Sequence, residues 1–165
     1  MTTQASFTTE EWTFLRILPP LVAGSVSAAD PSGLFGSMKE AMAGMKKMLE
    51  SLQKGTKIEL LTVMLADRGM PEMPDPKILF GAGIRDQRVA NLKSAVLARI
   101  KDAADLLSRK ATPEEVTAYK QMIMSVAETT ASASKEGGFL GFGGVQVSNA
   151  EQSFLNEVKG ALRLA

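Results

Sequence analysis

Two apolar series that step by three and four residues, joined by a short link, constrain this chain more than any other feature. The first is Val89, Leu92, Val96, Ile100, Ala103 and Leu107; the second is Val116, Tyr119, Ile123, Val126, Thr130 and Ala133. Each series falls on one face of an α-helix. Between them, Lys110-Ala111-Thr112-Pro113-Glu114-Glu115 supplies a helix start. Thr112 suits the N-cap, Pro113 the first helical position, and Glu115 can close a capping box. So short a connection folds the chain back on itself and predicts an antiparallel helical hairpin over about 86–108 and 113–135. The rest of the chain is expected to pack on it. The result is an all-α, single-domain bundle of about six helices spanning 1–165.

The other elements read from their caps and breakers. Thr8 and Glu11 form a capping box, and Phe7 can staple onto Trp12. Phe14, Leu15, Leu18, Val22 and Val26 then face inward. Pro19 and Pro20 donate no backbone hydrogen bond, so this first helix should kink or break near Ile17. The small apolar run Leu21 to Ala29 would let another helix come close, and Asp30-Pro31-Ser32-Gly33 stops it. A second helix, Leu34 to Gln53, carries Met38, Met42, Met45 and Met48 and ends at Gly55. A third runs from Thr56 to about Arg68, with Thr56 and Glu59 as a further capping box and Leu60, Leu61, Met64 and Leu65 as its apolar side. The proline-rich stretch within 69–85 excludes helix and predicts an internal crossover anchored by Ile78-Leu79-Phe80. After the hairpin, a glycine-rich loop leads to a last helix capped by Ser148 and Glu151, with Phe154, Leu155, Val158 and Leu162 buried.

Composition removes several functions. The 165 residues include no Cys and no His, so the commonest general base and metal ligand are both missing. Absent thiols leave no disulfide framework. A net charge of +1, one Trp and one Tyr provide neither an electrostatic funnel nor a stacking platform for nucleic acid. The apolar run Trp12 to Ala29 is preceded by Glu10 and Glu11 with no Lys or Arg, the wrong sign for a secretion signal, and Arg16 and the prolines interrupt it. It barely reaches the length of a membrane span. The expected setting is the cytoplasm.

Two stretches could carry function. Gly137, Gly138, Phe139, Leu140, Gly141, Phe142, Gly143 and Gly144 place five Gly in eight positions. No Gly-Lys-Ser/Thr follows, Gln146 stands where a dinucleotide fingerprint needs its third glycine, and a helix rather than a strand precedes. What remains is a helix C-cap whose phenylalanines plug the bundle end, or a docking surface. The methionine helix is equally double. Met42, Met45 and Met48 suit a buried face, an adaptable contact with a protein or membrane, or copper(I) thioether ligation. Five Lys against two Glu between Pro31 and Lys57 make that segment locally basic.

Catalytic patterns are thin. Ser51-Leu52-Gln53-Lys54 and Ser132-Ala133-Ser134-Lys135 match Ser-x-x-Lys, but both lie near helix ends and lack the companion elements. Asp102, Asp105, Glu114, Glu115 and Glu128 offer carboxylates without the Glu-x-x-His repeats of a dimetal bundle or the spacing of a calcium loop. Lys101 and Asp105 read as a surface pair.

Lys135-Glu136-Gly137-Gly138-Phe139-Leu140-Gly141-Phe142-Gly143-Gly144, running into Val147-Ser148-Asn149-Ala150-Glu151, resembles a segment of small bacterial helical proteins of unknown function. The resemblance covers about a tenth of the chain. It implies a bacterial source and an all-helical fold, and brings no activity. The expectation is a non-catalytic helical protein, without cofactor or metal, that binds a protein partner or itself through Met42, Met45, Met48 or the Gly/Phe loop. A hydrophobic-ligand or membrane-surface binder is the alternative, and a carboxylate-only enzyme stands behind both.

Overall fold

A computed structural model describes residues 2–29, 34–67, 75, 81–133 and 147–164, the side chains of 34–38 excepted. After a 3-10 turn at Gln4–Ser6 come α1 (Thr9–Ala29), α2 (Leu34–Lys54), α3 (Glu59–Ala66), α4 (Arg85–Lys110), α5 (Pro113–Ala133) and α6 (Asn149–Ala161). No strand occurs among the described residues, and the six helices pack as a bundle. The proline-rich stretch and the Gly/Phe loop lie almost wholly outside the described residues, so their expected roles are not placed.

α4 and α5 are the expected hairpin, and the Thr112–Glu115 capping box between them forms. The expected faces are buried: Leu92, Val96, Ile100, Ala103 and Leu107 on α4, and Tyr119, Ile123, Val126 and Thr130 on α5. Val89, Val116 and Ala133, at the margins, are half-buried. Both arms nevertheless pack more extensively on α1 than on each other, and among the described residues the broadest helix–helix contact joins α2 to α5. The reason is visible in α1. Trp12, Leu15, Ile17, Leu18, Leu21, Val22, Ala23 and Val26 are all buried, far more than one stripe. A helix apolar on most of its circumference belongs inside a bundle.

That helix does not break at its prolines. It continues through Pro19 and Pro20 as one element. Pro19 cannot donate to the carbonyl of Leu15, one turn earlier. The hydroxyl of Tyr119 donates to that carbonyl instead, at 2.7 Å and fully buried. Burial also pushes the Tyr119 phenol well above its ordinary pKa, keeping the donor proton in place. An aromatic on α5 thus repairs the ladder that a proline opens in α1.

The start of α3 is resolved similarly. Thr56 and Glu59 do not form the expected capping box: the helix begins at Glu59, its N-cap is Ile58, and no side chain caps it locally. Glu115 supplies the missing acceptor from α5. One carboxylate oxygen takes the backbone N–H of Leu60 at 3.2 Å. The other takes the Thr112 N–H at 2.8 Å and the hydroxyl of Thr2 at 2.6 Å. Glu115 therefore caps its own helix, caps α3 and fastens the N-terminal segment. At the far end of α3, Asp67 accepts from the Trp12 indole at 2.9 Å and pairs with Arg16 at 2.9 Å. The Phe7–Trp12 staple is present, with ring centroids 5.8 Å apart, as are the Thr8–Glu11 and Ser148–Glu151 boxes.

Glycine at position 44 sets the approach of α2. A β-carbon there would lie 2.2 Å from Thr130 Oγ1 and 2.9 Å from Ala23 Cβ. The small-residue run of α1 does let another helix close in, and that helix is α2. Its inward line is Glu40, Gly44, Met48 and Leu52, spaced by four.

Candidate functional site

That inward line fixes what α2 shows to water. Successive residues rotate by about 100° around a helix, so the side opposite Gly44 carries Met42, Lys46, Leu49 and Gln53. All four are exposed. Met42 is 68% and Leu49 47% exposed, and with Ile84 they are the large hydrophobic side chains left in water among the described residues. Met45 lies half-buried beside them, and Met48 is half-buried against the core. The reading of the methionines as one buried face is corrected at Met42. The stripe is wider than the core can use, because Gly44 rather than a methionine marks the point of closest approach.

The same geometry bears on copper(I). Met42, Met45 and Met48 fan over about 120° of the helix surface instead of converging on one point. Met38 lies among residues whose side chains are outside the description, and so do all of Gly137, Gly138, Phe139, Leu140, Gly141, Phe142, Gly143 and Gly144. The joint Met and Phe surface expected from the sequence is therefore placed only in its α2 half.

Leu49 was not among the expected contact residues. Its signal lay in the sequence: it stands seven residues after Met42 and four after Met45, on the side away from Gly44.

On the other flank of α2, an open groove of about 710 Å³ runs between the end of α2, α3 and α5. Ile58, Leu61, Ala118 and Met122 make its apolar part, while Lys54 and Glu114 stand among its polar residues. Ser51 lines it too, one turn from Lys54, but no hydrogen bond joins the two. The Ser-x-x-Lys match thus has no nucleophile–base contact; the second match runs into Lys135, outside the described residues.

The carboxylates do not gather. Among the described residues no three His, Cys, Asp or Glu side chains converge as metal ligands must. Glu115 is buried and occupied by its three partners, while Glu114, Glu128 and Asp102 are exposed. Asp105 pairs with Arg163 at 3.1 Å rather than with Lys101, correcting the expected surface pair. Burial pushes the Glu115 carboxyl up, but the bonds from Thr2, Thr112 and Leu60 outweigh that and hold it below the ordinary carboxylate value. The three bonds make Glu115 a clasp between segments, and a carboxyl held ionised is not set up as a general acid.

No helix among the described residues is long and apolar enough to cross a membrane. No protein-family model, curated protein or solved structure matches the chain.

Proposed function

We propose that this protein is a non-catalytic helical binding protein and that the outer face of α2, centred on Met42, Met45 and Leu49, receives another polypeptide. The observation that carries the reading is the placement of Met42 and Leu49 in water on one face, while among the described residues Ile84 is the other large hydrophobic side chain left exposed. Methionine suits such a surface because its unbranched, polarisable side chain adapts to differently shaped partners. An exposed apolar strip with a polar rim is a common mark of a protein contact.

A photo-crosslinking residue in place of Met42, compared with one in place of the exposed Asp102 on α4, tests this in the native cell. Discrete covalent adducts that form from position 42 and not from position 102 support the reading. Identical patterns from the two positions defeat it. Light scattering on the purified chain separates a second copy from a different protein.

A further inference from the structure

The charges around the α2 strip say what kind of partner fits it, an inference that rests on the reading of that face as a contact site. Met42 and Leu49 stand about 10 Å apart along the helix, two turns. Lys46 lies between them on the exposed flank, four residues after Met42 and three before Leu49, and Lys39 is exposed one turn before Met42 on the same flank. α2 has two acidic residues: Glu40 is 1% exposed on the inward side, and Glu50 is half-buried beyond Lys46. The strip therefore offers an apolar seam with a basic border.

A second copy fits that border poorly. Antiparallel pairing that sets Met42 against the partner copy's equivalent of Leu49 brings two Lys46 side chains to the middle of the interface. Like charges at such spacing oppose association. A lipid surface is also a poor match, since interfacial helices bury a broad apolar face and this one presents a narrow strip. We propose that the occupant is an amphipathic helix of a different protein, with apolar residues at i, i+3/i+4 and i+7 and acidic residues along the edge that meets Lys46. Helix-in-groove recognition uses this anchor spacing, and charge complementarity along the edge sets the choice of partner.

Two synthetic helical peptides test the proposal, identical in their leucine seam but flanked by Glu in one and Lys in the other. Fluorescence anisotropy on the full chain should show the Glu-flanked peptide binding at least tenfold more tightly, a difference of the size expected of edge charges. That preference should shrink as salt rises from roughly 0.05 to 0.5 M and disappear in Lys46→Glu. Binding should be lost in the double variant Met42→Ser/Leu49→Ser, whose fold is checked by circular dichroism. Equal binding of both peptides, lost in the double variant, overturns the acidic partner and leaves the contact face standing. Failure of both peptides to bind, or binding indifferent to the double variant, overturns the face itself. Sedimentation with phosphatidylserine vesicles that is lost in Lys46→Glu overturns the helix in favour of a membrane. A dimer abolished by Met42→Ser/Leu49→Ser overturns it in favour of a second copy.

Discussion

The turn end of the hairpin and the outer face of α2 lie in one bundle but treat their side chains in opposite ways. At the turn end, buried polar groups are satisfied across long stretches of sequence: Thr2 and Leu60 both meet Glu115, and Tyr119 meets Leu15. On α2, apolar side chains stay in water while a glycine holds the opposite side against two other helices. The first region spends specific contacts on fixing one arrangement. The second leaves Met42 and Leu49 outside the described core, which is what the proposed contact requires. Substitutions should therefore separate the two regions by their effect on stability.

The largest loss is expected for Glu115→Ala. It leaves the Leu60 and Thr112 N–H groups and the Thr2 hydroxyl without an acceptor, and an abandoned buried donor costs more than a bond gains, so about 3 kcal/mol should go. The urea midpoint measures it, and a loss below about 1 kcal/mol would show that the clasp contributes little. The same carboxylate gives a pH signature. Its pKa in the folded chain lies below the ordinary value of 4.5. Its contribution is therefore complete above that value and is lost as pH falls through the lowered one. Glu115→Gln should have a shallower decline in stability than the parent over that acid window.

Next in size is Gly44→Ala, at about 2 kcal/mol, because the new methyl meets Thr130 and Ala23 where the helices have no slack. Adding Thr130→Ala removes the nearer obstacle and should return part of the loss, a coupling that thermal denaturation of the four variants resolves. A smaller effect, about 1.5 kcal/mol, is expected for Tyr119→Phe, which leaves the Leu15 carbonyl unpaired. In a Pro19→Ala background the helix can supply its own donor to that carbonyl, so the same change should cost less. Equal costs in the two backgrounds would separate the tyrosine from the proline.

The hairpin, the boundaries of most helices and three of four capping boxes were legible because each rests on neighbours in sequence. Period, cap residue and breaker all act within a few positions. What was not legible depends on distant residues. Thr56 and Glu59 have the right spacing for a cap, yet α3 takes its acceptor from Glu115, fifty-five residues away. Pro19 and Pro20 read as a breaker because nothing local repairs a missing donor; Tyr119 does so from α5. Nor does periodicity alone say which part of a wide apolar arc meets the core. On α2 that choice is made by Gly44, and the outward turn of Met42 follows from it.

The smallest expected effect is the one that divides the two regions most sharply. Met42→Lys and Leu49→Lys replace exposed side chains that the core does not use, and each should move stability by less than about 0.5 kcal/mol. Met48→Lys, six residues after Met42 but packed against the core, should cost about 2 kcal/mol or more, since it drives a charge toward an apolar interior. Chemical denaturation of the three single variants makes the comparison within one helix and one type of substitution. If Met42→Lys proved as damaging as Met48→Lys, the outer side of α2 would be part of the fold. The distinction between a fastened end and an outer face that the core does not use would then fail at its simplest point.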